Sequence, residues 1–100
     1  MNSYIETPTM GEILKEEFMI PMNLSSYKLA HEIHVPVSRI QAILNSGRKI
    51  TPDTSLRLGR YFGVSDRYFL NLQNDIDIRE LKTSLKNEIS TIKPYSYSTV

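Results

Sequence analysis

The apolar residues of this chain recur at steps of three and four, which is the spacing of one face of an α-helix. The first such run extends from Pro8 to about Met19. Thr7 is its predicted N-cap, and Pro8 occupies a tolerated position in the first turn. The apolar positions of this first amphipathic helix are Met10, Ile13, Leu14 and Phe18.

Two short helices separated by a tight turn follow Pro21. Ser25 or Ser26 is the predicted cap of the second helix, which extends to about Ile33. The turn comprises residues 34–36, and the third helix is predicted from about Val37 to Asn45. One side of the third helix is apolar, whereas the other is mostly polar and carries no Asp or Glu. The buried side of the second helix comprises Leu29, Ala30 and Ile33; the apolar side of the third comprises Val37, Ile40, Ile43 and Leu44; its outer side comprises Ser38, Gln41, Ala42 and Asn45.

Three further helices are predicted in the second half of the chain. The fourth has Thr51 as cap and Gly63 as left-handed stop, and a fifth follows Ser65. A last helix begins at Asp77, which has capping-box spacing to Glu80. The predicted apolar contacts are Leu56, Leu58, Tyr61 and Phe62 in the fourth helix, Tyr68, Phe69 and Leu72 in the fifth, and Ile78, Leu81, Leu85, Ile89 and Ile92 in the last.

The absence of convincing strand alternation makes the predicted fold all-α. We divide the chain into a flexible N-terminus (1–6), a compact five-helix domain (7–76), an additional C-terminal amphipathic helix (77–92) and a flexible tail (93–100). A length of 100 residues with 40% apolar side chains fits one domain of this kind.

Charge, cysteine content and the lack of long apolar runs limit the partners, the sites and the cellular location that we expect for the protein. The 12 Lys and Arg residues nearly balance 11 Asp and Glu, so any basic surface must arise from local clustering. The absence of cysteine excludes disulfides and thiolate metal sites. No apolar run approaches the roughly 20 residues of a membrane span, and no secretory signal pattern is evident. We therefore expect a soluble cytoplasmic protein with no membrane association.

A helix, a short turn and a second helix with an acid-free polar face form an arrangement that can enter a DNA major groove. Amide and hydroxyl side chains can bond base edges there, while the free N–H groups at the start of the helix favour phosphate. Arg39 lies in the first turn of the third helix, and Arg48 and Lys49 follow its end. A nearly neutral chain thus concentrates positive charge on both sides of this helix.

The segments GEILKEEF, VPVSRI, ITPDTSLRLGRYFG and YFLNLQ occur in an order and spacing that resemble the HigA (VapI-like) antitoxins. That family lies within the Xre/Cro-type, lambda-repressor-like helix-turn-helix superfamily, and the resemblance covers roughly Thr7 to Asp77. It implies an antitoxin that neutralises a RelE-like, HigB-type ribonuclease toxin. It also implies a dimer that represses its own operon by binding a palindromic operator in double-stranded DNA.

The resemblance places the recognition helix on Val37 to Asn45, with Ser38, Arg39, Gln41 and Ala42 closest to DNA. We expect Gln41 and Ser38 to contact base edges, with Asn45 on the same face. Arg39, Arg48 and Lys49 are the expected phosphate contacts. The chain departs from the superfamily pattern at His34 and Ser46, where glycine is common; histidine tolerates a left-handed turn better than most residues.

Other interpretations remain open for several residues. The polar side of the third helix could be an ordinary solvated face, and Arg48 and Lys49 could be ordinary loop charges. His31 and His34 lack the HExxH spacing and a third ligand, so we assign no metal site. Neighbouring Glu16 and Glu17 point in different directions on a helix, which argues against a pair of carboxylates acting as acid and base. We find no catalytic arrangement, expect no cofactor, and predict that the protein is not an enzyme.

The late apolar residues have three possible partners: the rest of the domain, a second copy, or another protein. Two recognition helices must reach half-sites about 34 Å apart, so we favour a homodimer through Phe69, Leu72, Leu81 and Leu85. One alternative is an interaction module that masks a partner without specific DNA binding. Another is a solitary Xre-type regulator without a toxin.

Overall fold

The computed structural model describes residues 7–96, which form helices and connecting turns without any β-strand. This confirms the predicted all-α class. The elements are α1 (Met10–Ile13), a π-helical segment (Leu14–Met19), α2 (Ser26–Glu32), α3 (Val37–Asn45), α4 (Pro52–Phe62), α5 (Tyr68–Ser84) and α6 (Lys86–Ser90).

The first helix begins two residues later than predicted because Thr9, and not Thr7, is its cap. The Thr9 hydroxyl accepts the Glu12 backbone N–H at 3.1 Å, and the Glu12 carboxylate accepts the Thr9 N–H at 2.8 Å. This reciprocal capping box leaves Pro8 outside the helix. The helix then widens into the π-helical segment, in which Leu14 and Met19 are buried.

The turn between α2 and α3 has the predicted left-handed residue. Ser25 caps α2 by accepting the Lys28 N–H, and His34 has a φ of 61°. The Val35 N–H donates to the Ala30 carbonyl at 3.0 Å and the His34 N–H to the His31 carbonyl at 3.3 Å. These two bonds form a Schellman motif that ends α2 and allows α3 to begin at the predicted residue.

Helix α4 begins and ends as predicted, with Thr51 as cap and Gly63 in the left-handed region at φ 73°. Gly59 allows this helix to approach the start of α5, because a Cβ there would lie 2.6 Å from the Ser65 carbonyl oxygen. Buried Ser55 joins the two helices: its hydroxyl donates to the Asp66 carbonyl at 2.7 Å and accepts the Leu70 N–H at 3.0 Å.

The prediction that a new helix begins at Asp77 is wrong, since α5 continues through this residue to Ser84. Buried Gln73 and Ile76 maintain the helical packing, and the Asp77 carboxylate accepts hydrogen bonds from Lys49 and Gln73 instead of capping a helix. The interruption occurs at Leu85, followed by short α6. Residues 92–96 have no regular secondary structure. The predicted flexible segment 1–6 and the final residues of the predicted tail, 97–100, lie outside the described residues.

The core lies where α1, the π-helical segment and α2–α5 meet. Phe18 packs against Phe62 and Phe69, with ring centroids 4.9 and 5.0 Å away. Leu56, predicted to be an inward contact, is instead 56% exposed, because the buried side of α4 passes through Ser55, Leu58 and Gly59. The buried apolar side chains are Met10, Leu14, Met19, Leu29, Ala30, Ile33, Ile40, Ile43, Ile50, Leu58, Phe69 and Ile76.

Candidate nucleic-acid interface

Helix α3 presents a polar side to solvent. Ser38 and Asn45 are exposed, and Gln41 and Ala42 are partly exposed. The structure therefore brings these four predicted positions together on the outer side of one helix. That side carries no carboxylate, so it can approach an anionic ligand without repulsion.

The opposite side of α3 is held firmly in the core. Ile40 and Ile43 are buried, and Gly11 of α1 lies directly against the α3 backbone. A Cβ at Gly11 would lie 2.5 Å from the Ile43 carbonyl oxygen and 3.0 Å from the Leu44 Cα. Only glycine permits this approach, which fixes how far α3 stands out from the domain.

The sequence from Ser25 to Lys49 contains more basic than acidic residues. Its basic residues are Lys28, Arg39, Arg48 and Lys49, and its acid is Glu32. Lys28 and Glu32 lie on successive turns of α2 with their charged groups 3.6 Å apart. Arg48 is exposed beyond the end of α3, and its backbone N–H donates to the Ala42 carbonyl at 3.1 Å. This bond holds the basic loop close to the outer side of α3.

Arg39 points toward the start of α4, where it bonds Asp53. Its Nη1 donates to the Asp53 carboxylate at 3.0 Å, and its side chain is 25% exposed. Arg57 donates to the same carboxylate through Nε at 2.8 Å. Hydrogen bonds from Arg57 and then Arg39 hold the pKa of the Asp53 carboxyl below its ordinary value of 3.8. Arg39 is therefore paired within the chain, and its predicted phosphate contact stays a prediction.

Lys49 is also paired within the chain. Its Nζ lies 2.7 Å from Asp77 Oδ1, which also accepts a hydrogen bond from buried Gln73 at 3.1 Å. Gln73 in turn accepts the Ile50 backbone N–H at 3.3 Å. This network ties the loop after α3 to the middle of α5, while the Lys49 side chain remains 62% exposed.

Four side chains that support this surface were not predicted from the sequence: Asp53, Arg57, Gln73 and Asp77. One signal was present in the sequence, since Asp53 and Arg57 have the i,i+4 spacing of a helical ion pair. Their contacts with Arg39 and with the turn join residues far apart in the chain. Sequence periodicity carries no information about such contacts.

The four residues predicted to contact a partner fall into two groups. Phe69 is fully buried beside Phe18 and Phe62, and Leu72 packs against the same core. The burial of Phe69 removes it from the candidate contact surface. Leu81 and Leu85 are 51% and 38% exposed on the C-terminal part of the chain. They remain candidates, together with exposed Ile78, Ile89 and Ile92.

Other types of site find no support within residues 7–96. No group of three or more His, Asp or Glu side chains in this range could hold a metal ion. None of the helices described is long and apolar enough to cross a membrane. The geometry instead defines a helix-turn-helix protein, in which α2 supports α3 and α3 presents a polar surface.

Comparisons with known proteins agree with this class. A helix-turn-helix family model matches residues 14–69. Virulence-associated protein I of Dichelobacter nodosus is 45% identical over 86 residues, covering 86% of this chain and 79% of that protein. A HigA-family addiction module antidote protein from Coxiella burnetii has a TM-score of 0.81 at 37% identity, covering 91% of this chain and all of that one. The Pseudomonas aeruginosa antitoxin HigA, solved with higBA promoter, has a TM-score of 0.82 at 29% identity, with coverage of 91% and 100%.

The chain therefore belongs to the helix-turn-helix family, in the Xre-type branch that includes the HigA antitoxins. This is a class of DNA-binding regulators without enzymatic activity, which confirms the predicted fold family and the prediction that the protein is not an enzyme.

Proposed function

We propose that this protein is an antitoxin that represses its own operon as a homodimer on a palindromic operator. The observation that carries the proposal is the outer side of α3, which is polar, acid-free and adjacent to a basic loop. The likeness of the whole chain to the Pseudomonas aeruginosa antitoxin HigA, solved with promoter DNA, supports the same assignment. Action on its own promoter would take place in the cytoplasm.

The proposed contacts divide into those that read bases and those that hold phosphates. Gln41 can bond an adenine edge through both ends of its amide, and Ser38 can donate to or accept from either base of a pair. Asn45 and the Ala42 methyl group lie farther along the same side. Arg48 and Lys49 are exposed cations beyond the end of α3 and would position the protein on the phosphate backbone of the DNA. Arg39 would contact phosphate at the edge of this surface.

Dimerisation would follow from the geometry of a palindromic operator. Each chain presents one recognition helix, whereas two half-sites separated by about 34 Å need two. The exposed side chains of Ile78, Leu81 and Leu85 recur at helical spacing. A second copy packed on them would bury apolar surface that one chain leaves in water.

The toxin is the second proposed partner. Relatives of this chain are named as antitoxins, and the corresponding toxin would be a HigB-type ribonuclease of the RelE-like class. Toxin bound away from α3 would modulate operator occupancy. Coexpression with the product of the adjacent gene, followed by copurification and a test of cell growth, would examine this role. Normal toxicity of that product in the presence of the antitoxin would contradict it.

The principal experiment is fluorescence anisotropy on DNA from immediately upstream of the gene, compared with scrambled DNA across a salt series. Preference for the upstream fragment, with log K falling linearly as log salt rises, is the expected result. Equal or negligible binding to both fragments would favour a module that only masks a protein partner. Specific binding with no toxin partner would instead identify a solitary regulator.

A further inference from the structure

Arg57 bonds both its own helix, α4, and the turn between α2 and α3. Its Nη1 donates to the carbonyls of Ile33 and His34, at 3.0 and 3.2 Å, and its Nε donates to Asp53 at 2.8 Å. One guanidinium therefore joins the turn between α2 and α3 to the start of α4.

The carbonyls that Arg57 contacts are at the end of α2, where the helix leaves acceptors without intrahelical partners. A cation at this end also interacts favourably with the helix dipole. The contact joins Arg57 to Ile33 and His34, which precede it in the chain by 24 and 23 positions. It therefore constrains the turn through tertiary structure.

Asp53 extends the same network to the recognition helix. Its second carboxylate oxygen accepts Arg39 Nη1 at 3.0 Å, and Arg39 lies in the first turn of α3. Through these bonds, α4 holds the end of α2, the turn and the start of α3 in fixed positions relative to one another. Helix α4 is itself fixed by buried Leu58 and by the hydrogen bonds of Ser55 to Asp66, just before α5, and to Leu70 within it.

We propose that Arg57 is a positioning residue for operator recognition, setting the orientation of α3 by bonding the turn carbonyls and, through Asp53, Arg39. This inference rests on the proposed DNA-binding function. Arg57 acts through α3 and makes no base contact of its own. Its planar fork is essential, because the single ammonium group of lysine cannot hold a carboxylate and two carbonyls at fixed angles.

The test compares Arg57→Lys with Arg60→Lys, a matched control one turn away on the same helix that keeps the same charge. Affinity is measured on upstream and scrambled DNA, with the active fraction set by stoichiometric titration. We expect Arg57→Lys to weaken binding to the upstream fragment on the order of tenfold, which is the loss of part of one base contact. Binding to scrambled DNA and the salt slope should stay close to wild type, and Arg60→Lys should change neither.

Two results would overturn the inference. Equal losses on both DNAs, with a salt slope reduced by about one, would make Arg57 a phosphate contact. If Arg57→Lys binds the upstream fragment with unchanged affinity per active molecule, Arg57 contributes only to the stability of the fold.

A DNA-free measurement separates this inference from the proposed function. Backbone amide chemical shifts of the free protein should change along Val37–Asn45 in Arg57→Lys and remain in place there in Arg60→Lys. Changes confined to the surroundings of residue 57 would refute the positioning role even if the wild type binds its operator. Changes along α3 in a protein that does not prefer upstream DNA would instead refute the proposed function, and with it the use of this orientation for recognition.

Discussion

Gln41 and Arg48 differ in what each can exchange with a DNA duplex. A primary amide can discriminate bases, whereas a guanidinium on a loop mainly neutralises phosphate. We expect Gln41→Ala to weaken upstream-fragment binding by about 1–3 kcal/mol while leaving scrambled DNA nearly unaffected. Arg48→Ala should weaken both and lower the salt slope by about one. Anisotropy titrations measure both effects, and equal losses for Gln41→Ala on the two DNAs would refute its base-reading role.

Asp53 should make part of the stability dependent on pH. Its folded-state pKa lies below 3.8 because Arg57 and Arg39 donate hydrogen bonds to the charged form. The stabilisation is therefore fully present above the unfolded-state pKa and is lost as pH falls through the folded-state value. Asp53→Asn should lower Tm near neutral pH, and its difference from wild type should shrink as pH falls below 3.8. A difference that stays constant on acidification would contradict this assignment.

The packing of α1 against α3 depends on one missing methyl group. Alanine at Gly11 would gain up to about 1 kcal/mol in helix propensity. It would also place Cβ 2.5 Å from the Ile43 carbonyl oxygen, and this backbone atom cannot rotate aside as a flexible side chain can. We expect Gly11→Ala to lower the free energy of unfolding by about 1–3 kcal/mol, a typical cost of overpacking. Exposed Glu17→Ala on the π-helical segment is the control, with an expected change within about 0.5 kcal/mol in denaturant titration. Equal stability of Gly11→Ala and wild type would contradict this expectation, because it would mean that α1 can move away from α3 without lowering the free energy of unfolding.

Local signals in the sequence predicted several helix boundaries. Thr51, Gly63 and the limits of α3 are confirmed, because caps and left-handed stops depend on neighbouring residues. The start of a helix at Asp77 was wrong for the opposite reason. The carboxylate that resembled a cap bonds Lys49, 28 residues earlier in the chain. Local spacing cannot distinguish these two uses of an aspartate.

At the scale of the whole molecule, the exposed apolar side chains of Ile78, Leu81 and Leu85 determine the expected assembly. Leu81→Glu combined with Leu85→Glu places charge on the proposed dimer surface, so we expect a monomer with weakened operator binding. Asn87→Glu, an exposed substitution off this surface, should preserve the dimer. Sedimentation velocity measures the association state. A wild type that is monomeric at micromolar concentration, or a double variant that stays dimeric, would contradict the proposed surface.

The sequence by itself determined the all-α class, the helix-turn-helix and the polar outer side of α3, because periodicity, caps and turn residues act over a few positions. The tertiary structure decided how that surface is held. It paired Arg39 with Asp53 and Lys49 with Asp77, drew Phe69 into the core and left Leu56 in solvent. These outcomes depend on which distant residues become neighbours once the helices pack, and a charge or an apolar side chain in a sequence does not specify its partner.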